Sequence, residues 1–148
     1  MDTLVNLPPI ALGAIIFGIV LLMALIRHIE TKNISNRYSS DDLLLVSFGV
    51  TYFGQESKIS KPQRKAGAIA LVSTGVFFHS RFGHLEVFIP RERIKLIGTT
   101  DFFCDKPLND TVIQISFMND SDELDRMAFR IPAPAKWINT MKRHLLQS

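Results

Sequence analysis

The sequence predicts one N-terminal transmembrane helix followed by a mainly-β domain of about seven antiparallel strands, curled into a small, twisted barrel or pair of sheets and capped by a C-terminal α-helix. Three observations predict it. Residues 7–26 (LPPIALGAIIFGIVLLMALI) carry no ionisable side chain. From Asp42 onward apolar and polar residues alternate at period two, the pattern of half-buried strands. After Pro132 the apolar spacing becomes helical.

The apolar run comes first. About 20 such residues at ~1.5 Å rise cross a hydrocarbon layer of roughly 30 Å. A cleaved secretory signal is the rival, and it requires a basic start, an apolar core of about 7–15 residues and small residues at the cleavage point. Here only Asp2 is charged before the run, the core is longer, and Leu25, Ile26, Arg27 and His28 are bulky. These departures favour a retained anchor. Arg27, His28, Lys32 and Arg37 follow the run, so the positive-inside rule places the N-terminus outside and the rest in the cytoplasm. The expected organisation is a short non-cytoplasmic N-terminus (1–6), a helix across the cell membrane (7–26), a juxtamembrane connector (27–41) and a folded domain (42–148). Pro8 and Pro9 suit a first helical turn, where the missing N–H does no harm. Ala14 and Gly18 form a small-xxx-small pair that would let another helix approach, although such pairs are common in apolar segments.

The strands follow in order. Leu44, Val46, Phe48, Val50 and Tyr52 line one face of the first. Ile69 and Leu71 belong to the second, Val76 and Phe78 to the third, with a tight turn at Ser73-Thr74-Gly75. Phe82-Gly83-His84 turns the chain into Leu85, Val87 and Ile89, which Pro90 ends. Ile94 and Leu96 lead into an expected irregular stretch from Gly98 to Asp110. Ile113, Ile115 and Phe117 then alternate, as do Met127, Phe129 and Ile131 after an acidic loop. Trp137, Ile138, Met141 and Leu145 form one stripe of the final helix, with Lys142 and Arg143 at its C-terminal, electronegative end.

This pattern resembles the pleckstrin-homology superfold, especially its bacterial and GRAM-type branch. The run Gly67-Ala68-Ile69-Ala70-Leu71-Val72-Ser73-Thr74-Gly75-Val76-Phe77-Phe78 is similar to the hairpin of that family, and Leu85-Glu86-Val87-Phe88-Ile89-Pro90 with Ile94 resembles the segment after it. The resemblance implies a PH-like barrel over residues 43–146 and a binding or scaffolding module rather than an enzyme. Fold alone does not set function.

Composition narrows the classes. About 120 residues remain after the anchor, enough for one core. Cys104 is the single cysteine, so an intramolecular disulfide and a CxxC zinc site are excluded, which suits a reducing compartment. The net charge of +3 suits proximity to anionic headgroups but is too scattered for nucleic acid. No nucleophile elbow, P-loop or HExxH motif is present, no basic neighbour activates Cys104, and neither catalysis nor a cofactor is expected.

Four basic residues between the first two strands, Lys58, Lys61, Arg64 and Lys65, are the leading candidates. The resemblance implies phosphate contact there, but the second strand turns wholly apolar after Lys65, so the usual in-strand arginine is missing. General attraction to anionic lipid, a partner surface and a solvated loop all remain open. Phe102 and Phe103 form a candidate partner patch if exposed, or core if folded back. Arg91, Arg93 and Lys95 are read as charges that blunt a strand edge. The run Asp120, Asp122, Glu123 and Asp125 lacks the calcium-loop frame, and His79 with His84 falls short of a zinc shell. A domain already anchored by a helix has little need of lipid for targeting. The expected role is therefore an accessory or scaffolding subunit of a larger membrane complex, with an anionic-lipid tether as the alternative.

Overall fold

Pro9 opens α1, which runs unbroken from Pro9 to Arg37 in the computed structural model. The structure describes residues 8–39 and 41–146. The expected outer N-terminus (1–6) and Leu7 lie outside them. At 1.5 Å per residue α1 is about 44 Å long. Its most apolar window has a mean hydropathy of 2.8 and is 0% buried, so one helix is long and apolar enough to cross a membrane. The connector expected over 27–41 is helical as far as Arg37, and Glu30 and Ile34 within it are buried against the β-domain.

The strands are β1 (Leu43–Gln55), β2 (Lys65–Val72), β3 (Gly75–Ser80), β4 (Glu86–Pro90), β5 (Ile94–Phe103), β6 (Lys106–Met118) and β7 (Leu124–Arg130). They form one antiparallel sheet in the order β4-β3-β2-β1-β7-β6-β5. The expected closed barrel is not formed: β4 and β5 are the two edges of an open sheet. The sheet nevertheless curls, because Val87 and Ile89 from one edge and Ile94 and Ile97 from the other pack into the same core around Ile69, Phe78, Ile113, Ile115 and Phe129. A 3-10 turn, Arg91–Arg93, joins the two edges. There the Arg93 guanidinium donates to the Met118 and Asn119 carbonyl oxygens (3.4 and 2.8 Å), tying that corner to the β6–β7 turn. α2 (Pro134–Met141), extended by a π turn to Leu146, supplies Trp137, Met141 and Leu145 to the same core.

Two expectations about the strands need correction. Leu44, Val46, Phe48, Val50 and Tyr52 do not share a face. The β1–β2 register shifts between Leu43 and Leu45 and again between Ser47 and Val50, where Gly49 takes φ +67°. Each inserted residue reverses the parity of a period-two strand. Leu45, Val50 and Tyr52 therefore face the inner core, Leu43, Val46 and Phe48 face outward, and Leu44 is exposed. The stretch Gly98–Asp110 is not irregular either. β5 and β6 continue through most of it and join at Cys104-Asp105, both at positive φ (54° and 59°). Such left-handed two-residue turns match the twist of a hairpin.

The outward face of β1–β3 receives α1. Arg27 lies over the Phe48 ring on β1, and Ile34 packs with Ala68, Ala70 and Val72 on β2. Tyr38 meets Phe77 on β3 edge-on, and Arg37 pairs with Glu86 on β4. Glu30 pairs with Arg81 just past the end of β3, so the contacts of α1 are spread over β1, β2, β3 and β4 and the helix crosses the strands rather than following one of them.

Candidate functional site

The loop between β1 and β2 is held from below by Asp125. This carboxylate is buried and accepts hydrogen bonds from Gln55 Nε2 (2.7 Å), the Ser57 backbone N–H (3.1 Å), the Ser57 hydroxyl and Asn119 Nδ2 (3.4 Å). Burial by itself would raise its pKa. The side-chain hydrogen bonds from Ser57 and Gln55 and the backbone N–H groups of Arg126 and Ser57 outweigh it and hold the carboxyl below its ordinary range. Nearby, burial and then the Asp125 charge push the Tyr52 phenol up to about 12. The acidic run is thus a structured turn, with Asn119 Oδ1 accepting the N–H groups of Ser121 and Glu123. Asp125 is its buried strut.

Above this strut opens a cavity of about 490 Å³ lined by Tyr52, Lys58, Lys65, Glu86, Arg93 and Asp120, among others. The four basic residues of the loop do not converge on it. Lys58 and Lys65 line the cavity, Arg64 instead lies over the Phe53 ring on the outer face (5.4 Å), and Lys61 is exposed outside the lining. None of the four has an acidic partner at ion-pair distance among the described residues. The lining also holds the carboxylates of Glu86 and Asp120, so its charge is mixed.

Phe102 and Phe103 part company. Phe103 is buried with Phe53, Leu108 and Val112 in a second, outer cluster, whereas Phe102 is 51% exposed. The candidate patch is therefore one ring, because successive strand residues face opposite ways. Ala14 and Gly18 lie on the exposed apolar part of α1, with nothing within 4 Å of a Cβ added at Gly18. Arg93 belongs to the corner described above, Lys95 is exposed on β5, and His79 lies 3.9 Å from Glu86. No group of three or more His, Cys, Asp or Glu residues suited to a metal occurs among the described residues. The Cys104 thiol is raised, by burial first and then by Glu56 and Asp105, the opposite of an activated nucleophile.

The junction between α1 and the sheet is the feature sequence reading missed. Glu30 is 5% exposed and its Oε1 accepts from Arg81 Nε at 3.0 Å. One turn on, Ile34 is 2% exposed. The two stand at i and i+4, one face of a helix, which was the available signal. On the N-terminal side of this latch lies a groove of about 610 Å³ lined by Val20, Met23, Ala24, Ile26, Arg27, Glu30, Phe48, Gly49 and Arg81.

No family model matches the sequence, and no curated protein matches it. Solved structures do share the fold. One is the C-terminal domain of an unknown protein from Leishmania infantum, with a TM-score of 0.51 at 13% identity, covering 71% of this chain and 84% of that one. Another is a chain in the 8S snRNP assembly intermediate, with a TM-score of 0.50 at 11% identity, covering 71% and 80%. At these identities the likeness is one of fold alone.

Proposed function

We propose that this chain is a non-catalytic, single-pass membrane protein whose PH-like cytoplasmic domain presents a protein-binding surface, as an accessory or scaffolding subunit of a larger membrane complex. The observation that carries the reading is the packed junction between α1 and the sheet. Ile34 and the Glu30–Arg81 pair fasten the domain to the anchor helix, so the domain has one orientation instead of the many a flexible connector would allow. Phe48 and Gly49 of β1 and Arg81 just past β3 border the apolar run, so this part of the sheet would face the bilayer. A preset orientation lowers the ordering cost of docking onto a neighbouring subunit. The PH/GRAM reading draws support from the strand order and the C-terminal helix. A domain of this fold also occurs in the 8S snRNP assembly intermediate.

The test is extraction of the native protein in a mild detergent, followed by identification of everything that migrates with it at high mass. Stoichiometric co-migration with a membrane assembly is expected. Migration alone, or as a small homo-oligomer, refutes the subunit reading.

A second reading, an anionic-lipid tether, draws on the cations of the loop after β1, none of which has an acidic partner among the described residues. It predicts that the full chain in neutral nanodiscs captures acidic vesicles at low salt and that Ser at Lys58, Lys61, Arg64 and Lys65 abolishes capture. Equal capture by the variant removes it.

A further inference from the structure

The groove between α1 and β1 is amphiphilic along the helix axis. Val20, Met23, Ala24 and Ile26 belong to the apolar run, whereas Arg27, Glu30 and Arg81 gather at the end facing the domain. If the hydrocarbon boundary falls between Ile26 and Arg27, as the charge pattern places it, Val20 lies about 10 Å inside the boundary and Glu30 about 5 Å outside it. The polar end of the groove then stands at headgroup level and the apolar end at the level of the upper acyl chain. Phe48, capped by Arg27 at 5.3 Å, closes the sheet side, and Gly49 leaves that wall without a side chain.

We propose that this groove binds one anionic phospholipid from the cytoplasmic-side leaflet, its phosphate between Arg27 and Arg81 and its acyl chain along Val20, Met23 and Ala24. The proposal rests on the membrane-span reading above. It concerns the outer face of the sheet, away from the loop of Lys58 and Lys65. Charge supports the choice of an anionic ligand. Glu30 is engaged by Arg81 Nε, while Arg27 has no carboxylate partner among the described residues, so the polar end carries a net positive charge. Guanidinium groups suit phosphate oxygens, whose charge-assisted hydrogen bonds are short and strong. A protein helix seated here would instead place the two arginines against its own backbone or require acidic residues at headgroup level. A lipid brings the phosphate and the chain in the right order, and its local concentration in the bilayer is high.

Native mass spectrometry of the full chain released from nanodiscs tests this. Discs contain either phosphatidylcholine alone or an equal mixture with phosphatidylglycerol. One retained phosphatidylglycerol per chain is expected. Arg27→Gln, which removes an exposed cation, should lower the retained fraction about tenfold or more, the scale of a charged hydrogen bond. Ala24→Phe, which fills the groove from the lipid side, should do the same while leaving the cations in place. Retention of phosphatidylcholine at the same level, no adduct at all, or adducts unchanged in both variants overturns the proposal. So does dimerisation through the groove in place of a lipid adduct. Alkaline carbonate extraction of the same preparation separates the premises. A chain that stays in the bilayer without an adduct defeats the lipid site only, and a chain that leaves the bilayer defeats the span as well.

Discussion

Ile34→Ala is the most direct probe of the junction between α1 and the sheet. Ile34 is 2% exposed and packs on Ala68, Ala70, Val72 and Phe77, with Tyr38, Val46 and Phe48 around it. Truncating a buried Ile to Ala costs about 2–5 kcal/mol. The site lies at the edge of a helix–sheet contact, where solvent can reach the vacated space, so the lower part of that range, about 2–3 kcal/mol, applies. The small neighbours Ala68 and Ala70 offer nothing that swings in to fill the space. At 1.4 kcal/mol per factor of ten, the population with α1 lifted off the sheet rises about 30- to 150-fold. Arg27, Lys32 and Arg37 are tryptic sites within the docked segment, and cleavage of a transiently opened segment tracks its open population when reclosing is fast. Trypsin cleavage in the segment from Arg27 to Arg37, measured on the full chain in nanodiscs, should accelerate by that factor. Ser35→Ala, on the exposed side of the same turn, serves as the control. A rate within about twofold of the parent, the span of an ordinary surface substitution, would refute the view that Ile34 locks the domain to the helix.

Two further predictions concern the domain itself. Asp125 has a folded pKa below its unfolded value, so the unfolded chain binds its proton more readily and the carboxylate stabilises the fold above about pH 4. That contribution disappears as pH falls through the lowered folded value. Asp125→Asn should therefore lower the melting temperature near neutrality, with the gap to the parent narrowing in acid. A gap that widens in acid would contradict the hydrogen-bonded strut. Gly67→Ala should break the β2–β3 ladder, since the added Cβ would stand 2.1 Å from the His79 carbonyl oxygen and 2.9 Å from Ser80 Cα, both backbone atoms. A fall of at least about 5 °C in the thermal midpoint by circular dichroism is expected, and an unchanged midpoint would show that the strands separate at no cost.

Much of the fold was legible because its signals are local. The uncharged run before Arg27 states its own requirement for an apolar environment. Ile113, Ile115 and Phe117 alternate without interruption, and the structure places all three in the inner core. Trp137, Met141 and Leu145 recur at helical spacing and pack there together. Failures came where one backbone residue changes the phase. A bulge at Gly49 reversed the faces of β1, and the Cys104-Asp105 turn lacks the glycine that marks most such hairpins. The candidate site was less legible still. Lys58, Lys61, Arg64 and Lys65 are neighbours in sequence, but the loop sends Arg64 to Phe53 while Lys58 and Lys65 border the cavity.

The sequence by itself determined the order of parts: one apolar helix set by its uncharged run, then seven strands and a closing helix set by the periodicity of their side chains. The tertiary structure alone decided that the sheet stays open between β4 and β5, that Asp125 supports the β1–β2 loop, and that α1 lies across the strands. Those outcomes depend on pairs far apart in the chain, such as Glu30 with Arg81 and Gln55 with Asp125. Burial of a polar side chain is tolerated only where its partner arrives in space, and no local pattern records that arrival.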